Sequence, residues 1–267
     1  MSRANARRLL SALPPAVYIV AIYTFIFLPV VVLVLFSFQD GRLPVPPLKG
    51  LSTRWYEAIF ADRDLMGALG NSIVVAVVSS LIAMILGFLG AHALARHRLP
   101  GATFLQWLLM APLSVSYLII AMGLLITFTS AGVPKSLWAV GIGHVVINMP
   151  LCFGICLSQM GGHQVSAERA ARDLGASEFK VILLISLPML WPALLASFFL
   201  SFTLSWDEFV IAWLVSRFEV TLPVEIWSLL RGGLNPKTNA IGTVVFAISM
   251  ALLVVIEVLL SRRRKAS

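Results

Sequence analysis

Long, nearly uninterrupted apolar stretches constrain this chain more than any other feature. A helix that crosses a bilayer needs about 20 mostly apolar residues, because the hydrocarbon core is roughly 30 Å thick and offers the backbone no water. Six such stretches follow one another: Ala16 to Phe38, Asn71 to Ala95, Phe104 to Phe128, Ser136 to Gln159, Val181 to Leu204, and Ala240 to Leu260. The composition, 59% hydrophobic and only 12% charged, lies well outside the soluble balance of about half apolar and a quarter charged. The expected fold class is therefore all-α, a polytopic membrane protein with about six transmembrane helices.

A net charge of +8 would point a soluble protein toward nucleic acid. Here the basic residues flank the apolar stretches, so a lipid bilayer is the expected partner and nucleic acid is not. Arg3, Arg7, Arg8, Arg96, Arg98, Arg169, Arg172, Lys180 and the terminal run Arg262 to Lys265 fall on one side, in the shorter loops; the remaining eight lysines and arginines fall on the other. The positive-inside bias thus places both termini in the cytoplasm. The first apolar run is too long for a secretory core and lacks a small-residue cleavage site, so it is expected to stay as the first span.

Few residues suggest chemistry within the chain. Cys152 and Cys156 lie four apart in an apolar stretch, where packing explains them better than a disulfide or a metal site. His92, His97, His144 and His163 share no ligand spacing. Glu257, near the inner end of the last stretch, is most simply a water-facing group, with a proton relay as its functional alternative. Neither a hydrolytic constellation nor a phosphate-binding glycine loop of the form Gly, four residues, Gly-Lys-Ser/Thr occurs, so the chain is not expected to be an enzyme or to bind ATP itself. The 160–180 segment breaks the apolar pattern and is too polar for lipid. It reads as two short helices meeting at Gly175. Ser166 is placed to cap the first, Glu168 lies in its first turn, Gly175 takes the left-handed conformation that ends it, and Ser177 caps the second. Ala170, Ala171 and Ala176 leave backbone open to another protein, and Phe179 offers an apolar anchor. The plainer reading is an ordinary cytoplasmic connector.

The spacing in this segment resembles the EAA loop of binding-protein-dependent ABC importer permeases: Glu-Ala-Ala, three residues, Gly, nine residues, Ile, one residue, Leu-Pro. Ala170-Ala171, Gly175, Ile185 and Leu187-Pro188 fit without a gap, in the loop before the penultimate span. The departure is Arg169, which stands where the pattern has glutamate; the nearest acid is Glu168. The resemblance runs from about Gly67 to Leu260 and includes Asn71-Ser72-Ile73. It implies a type-1 ABC importer transmembrane fold in a bacterial inner membrane, with a tail, first span and periplasmic loop at 1–66, the transmembrane domain at 67–261, and a basic tail at 262–267. It implies a coupling loop made by Glu168, Arg169, Ala170, Ala171, Asp173, Leu174, Gly175, Ala176, Ser177 and Phe179. The implied partners are a dimer of ATP-binding-cassette ATPases, a second permease subunit and a periplasmic solute-binding protein. ATP and Mg belong to the ATPase, and no cofactor is implied for this chain.

Within that family, the run from Ser201 to Val210, Thr221-Leu222-Pro223, and Asn235-Pro236 look most like the spermidine/putrescine-type permeases. The acidic pair expected after Leu-Ser and one residue is Asp207 and Glu208, with glutamate where aspartate is usual. With Trp206 beside them, these residues form the expected solute pathway, two carboxylates and a cation–π face for an alkylammonium. The plainer reading is a charged helix end at the water interface, and 206–215 is expected to be a re-entrant or interfacial extension. Opine, phosphonate, sulfate or iron are the solutes of related branches. An ion-coupled secondary carrier and a membrane anchor subunit are the readings from other classes; the former predicts matched broken helices in two halves, which are not evident.

Overall fold

The computed structural model describes the backbone of residues 3–233 and 235–264, and the side chains of these residues except 3–16, His163, Leu252, 255–257 and 259–264. Among the described residues there is no β-strand; the one extended pairing is an isolated bridge between Gln39 and Leu51. The chain forms two compact units, one made of 1–62 with 228–251, the other of 63–227 with 252–267.

The second unit holds the coupling segment and the acidic pair. Its frame is α3 (Arg63–Arg96), α6 (Leu137–Gln159) and α9 (Leu187–Trp206). Small residues let these helices approach closely, as is common where lipid gives no hydrophobic drive for association. Ala76, Ser79, Ser80, Ala83, Gly87 and Ala91 on α3 are all buried. A methyl on Gly87 would lie 2.6 Å from the backbone nitrogen of Phe153 and 2.7 Å from Cys152 Cβ, so α3 and α6 touch almost backbone to backbone there. One core cluster, around Val140, Ile147 and Ile211, packs toward one end, and a second, around Phe88, Phe153 and Leu190, toward the other. At about 1.5 Å per residue, the 34 residues of α3 span about 51 Å. That exceeds the hydrocarbon thickness, so the two ends of α3 extend beyond the apolar layer, with exposed Arg63 and Asp64 at one end and partly buried Arg96 at the other.

Among the described residues, four helices are long and apolar enough to cross a membrane: Val17–Ser37, Arg63–Arg96, Leu137–Gln159 and Glu178–Trp206. The stretch expected as a third straight span is instead a bent pair, Ala102–Ser114 and Tyr117–Ser130, meeting at 106°. It comprises α4 (Ala102–Met110), a 3₁₀ turn at Ala111–Ser114 and α5 (Tyr117–Ser130), with Val115 fully extended between them. Pro112 accounts for the switch from α4 to the 3₁₀ turn, since it lacks the amide that would continue α4 and its ring crowds the preceding turn, and the chain then turns at Val115 and Ser116. The Ala240 to Leu260 stretch lies within α12 (Pro236–Arg264). The side chain of Glu257 lies outside the described residues, as do Lys265 and the last two positions.

In the first unit, α1 (Arg3–Ser37) is followed by a loop and α2 (Arg54–Phe60). The loop is organised on Gln39, whose side chain donates to the carbonyls of Val45 and Pro47 and accepts from the Lys49 amide. Trp55 Nε1 donates to the Gln39 carbonyl at 2.8 Å.

Candidate functional site

The coupling segment is α7 (Gly162–Asp173), the turn at Gly175, and α8 (Glu178–Val181), which runs through a π-helical turn at Ile182–Ser186 into α9. Gly175 has φ of +84°. The amide of Ala176 donates to the Ala171 carbonyl and that of Gly175 to the Arg172 carbonyl, the paired bonds of a Schellman helix end. No other group lies near a methyl added at Gly175, so its requirement is purely conformational. Across this turn Arg172 makes a bidentate pair with Glu178, at 2.7 and 3.0 Å, on the open surface.

Three local expectations change. Ser166 is not a cap: α7 starts at Gly162, and the Ser166 hydroxyl donates to the Gly162 carbonyl inside the helix. Ser177 occupies the N-cap position of α8 but makes no side-chain cap bond. Glu168 is not in the first turn, and it is fully buried at 0% exposure. Its carboxylate accepts from Arg96 Nε at 2.5 Å, from Arg96 Nη2 at 3.1 Å and from Ser186 Oγ at 2.8 Å. Burial alone would raise its pKa, but the bonds from Arg96 and Ser186 and the guanidinium charge hold it below the ordinary glutamate value. Gln164, one turn earlier, is buried on the same face.

The opposite surface of the segment is open. Arg169, Ala170, Asp173, Gly175 and Ser177 are exposed, and Ala171 and Ala176 partly so. Leu174 is 89% exposed and Phe179 71%. Two large apolar side chains flanking a helix end on an otherwise polar loop suit insertion into a protein groove.

At the far end of α9 the expected acidic pair is divided. Asp207 is exposed. Glu208 is 4% exposed, with its carboxylate accepting from the amides of Ile211 at 3.0 Å and Ala212 at 3.2 Å. It thereby caps α10 (Val210–Val215), whose Ile211, Ala212 and Val215 are buried, so 206–215 is a folded-back extension packed into the core. His144 Nε2 stands 3.3 Å from the same carboxylate, and its Nδ1 lies 2.6 Å from Ser205 Oγ, which in turn lies 3.1 Å from Ser79 Oγ. Trp206 is 3% exposed and stacks on Phe202, so its ring is packed inside rather than offered to a cation. Of the three pathway residues, Asp207 alone presents its side chain.

Reading the sequence missed Arg96, Ser186, His144, Ser205 and Ser79 as partners. Arg96 had registered only as a topological charge, and nothing local marks a serine or histidine whose partner is an acid on another helix. No group of three or more His, Cys, Asp or Glu side chains that could hold a metal occurs among the described residues.

Residues 83–265 match the family model described as binding-protein-dependent transport system inner membrane component. The spermidine/putrescine transport system permease protein PotC of Escherichia coli K12 is 30% identical over 252 residues, covering 94% of this chain and 95% of that protein. PotC of Haemophilus influenzae is 32% identical over 248 residues, covering 92% and 95%. The putrescine transport system permease protein PotI of E. coli K12 is 35% identical over 231 residues, covering 84% and 82%. Among solved structures, a bacterial ABC transporter that imports the acidic polysaccharide alginate matches with a TM-score of 0.69 at 18% identity, covering 98% of each chain. The MetNI methionine ABC transporter matches with a TM-score of 0.60 at 15% identity, covering 76% of this chain and 95% of that one. The shared fold is that of ABC importer transmembrane subunits.

Proposed function

Because this chain belongs to the family of binding-protein-dependent transport system inner membrane components, we propose that it forms one half of a polyamine import pathway, receiving putrescine or spermidine from a periplasmic solute-binding protein. The observation that carries the solute is the near end-to-end similarity to polyamine permeases. The chain is a multi-pass inner-membrane transport subunit and not an enzyme. ATP and Mg are bound and used by a separate ATPase dimer, and a second permease subunit completes the pathway. Both termini lie in the cytoplasm, with the transmembrane domain at 67–261 and the coupling segment at 160–180.

The two ends of α9 support this reading from opposite sides. On the cytoplasmic side, Leu174, Phe179 and the exposed face of α7 with Arg169, Ala170 and Asp173 dock on the ATPase, while Gly175 fixes the angle at which α8 leaves toward α9. On the outer side, exposed Asp207 supplies negative potential to a protonated alkylamine leaving bulk water. Opposite charges about 4 Å apart near a protein surface attract by about 4 kcal/mol at an effective dielectric of 20, enough to govern entry.

Isolation of the complex from native membranes tests the class: a P-loop ATPase and a soluble solute-binding protein should co-purify. Uptake of radiolabelled putrescine and spermidine by cells tests the solute. Absence of both uptakes in cells producing the complete complex would sink the polyamine reading.

A further inference from the structure

α7 is joined to its neighbours by weak covalent hinges. Gly161 and Gly162 link it to α6, and left-handed Gly175 links it to α8. A helix held only at two such points would pivot under load. What pins its middle is Glu168, whose carboxylate meets the last residue of α3 through Arg96 and the last residue of the π-helical turn through Ser186. The side chains of Arg96 and Glu168 are 7% and 0% exposed. Separating them would leave an enclosed charge without its partner, so opening the joint is strongly disfavoured. The other ion pair of the segment, Arg172 with Glu178, lies at the surface, where water and salt weaken it.

We propose that Glu168 is a positioning residue for energy coupling: the Arg96–Glu168–Ser186 joint binds α7, the inner end of α3 and the π-helical entry to α9 into one moving body, so that displacement of α7 by the ATPase is delivered to two transmembrane helices at once. Glu168 thus works inside the subunit and touches no partner, while the docking face is left to the exposed residues of the segment. This rests on the reading of α7 to α8 as the ATPase-docking segment.

The experiment uses the complete complex in proteoliposomes and measures ATPase co-purification, ATP hydrolysis and putrescine uptake for Glu168→Gln and for the neutral double variant Arg96→Gln with Glu168→Gln. The double variant leaves no unpaired charge and keeps hydrogen-bonding groups on both sides, which protects the test if the single variant fails to accumulate. The expected result is an ATPase bound at the wild-type level with putrescine imported per ATP reduced about tenfold, within the range by which coupling between sites acts. Arg96→Lys, which keeps the charge and loses the fork, should fall between. Unchanged uptake per ATP in the double variant overturns the proposal, and so does loss of ATPase from it, which would make Glu168 a docking residue. The docking reading is tested separately by Leu174→Ala with Phe179→Ala. If that pair keeps full ATPase binding, the segment is not the docking surface, whatever the Glu168 variants do.

Discussion

Glu168 and Glu208 are both buried glutamates beside an exposed charged residue, yet they are neutralised in different ways. Glu168 is met by a full guanidinium charge from 72 residues away and by a serine from a third element. Glu208 is met by two amides three and four residues further on, with His144 at 3.3 Å as its distant contact. One carboxylate is therefore a strut between transmembrane elements and the other a cap on a short local helix. The difference teaches that a buried acid reports on what it holds together: removing the strut frees three elements, whereas removing the cap loosens one turn.

The largest expected effect is that of Arg96→Met, which leaves the Glu168 charge buried and unpaired; it should cost about 3–5 kcal/mol in unfolding measured in detergent. Replacing both partners by Arg96→Met with Glu168→Leu should recover much of this. Glu208→Gln retains one capping oxygen and should cost about 1–2 kcal/mol by the same assay. If it costs as much as Arg96→Met, the contrast between strut and cap collapses. Gly175→Val, which forces a β-branched residue into the left-handed region, should cost about 1–2 kcal/mol and abolish uptake while the protein still inserts. Normal uptake by that variant would remove the coupling role of the turn.

Acid provides a finer probe of the strut. Because the folded pKa of Glu168 lies below its ordinary value, its contribution is complete above that value of about 4.3 and is lost as the pH falls through the depressed folded value. The stability gap between wild type and Glu168→Gln should thus be constant from pH 7 to 5 and shrink only at pH below about 4.3. A gap that closes near neutrality would contradict the pairing. The smallest effect on stability is expected from exposed Asp207→Asn, within about 0.5 kcal/mol, with a marked fall in putrescine uptake. Equal uptake would leave Asp207 as a helix-end marker.

Apolar periodicity and length made the frame legible. The stretches expected at Asn71 to Ala95 and Val181 to Leu204 lie inside Arg63–Arg96 and Glu178–Trp206, and Ser136 to Gln159 is the helix Leu137–Gln159 with Ser136 as its N-cap. Gly175 was legible because few residues besides glycine favour a left-handed helix end. The 106° break was less so: Pro112 was visible, but many spans carry a proline without turning, and the geometry depends on neighbouring helices. The division of Asp207 from Glu208 and the burial of Glu168 were not legible at all. For Glu168 the deciding partner, Arg96, is remote in sequence; for Glu208 the amides of Ile211 and Ala212 are local, but its burial follows from α10 packing into the core, of which composition near the acid carries no trace.

Cys152 and Cys156 have a practical consequence. Both thiols are free, fully enclosed and seated where α6 meets α3 and α9, with Cys152 Sγ 3.6 Å from the Ser197 carbonyl. Maleimides added to the folded protein therefore have nothing native to modify, and the unaltered chain already serves as a silent background for site-directed labelling. A single cysteine introduced at Ser177 or at Gly233, both exposed, becomes the only reactive thiol of the folded chain, and a membrane-impermeant reagent then reports directly which face of the bilayer each position occupies.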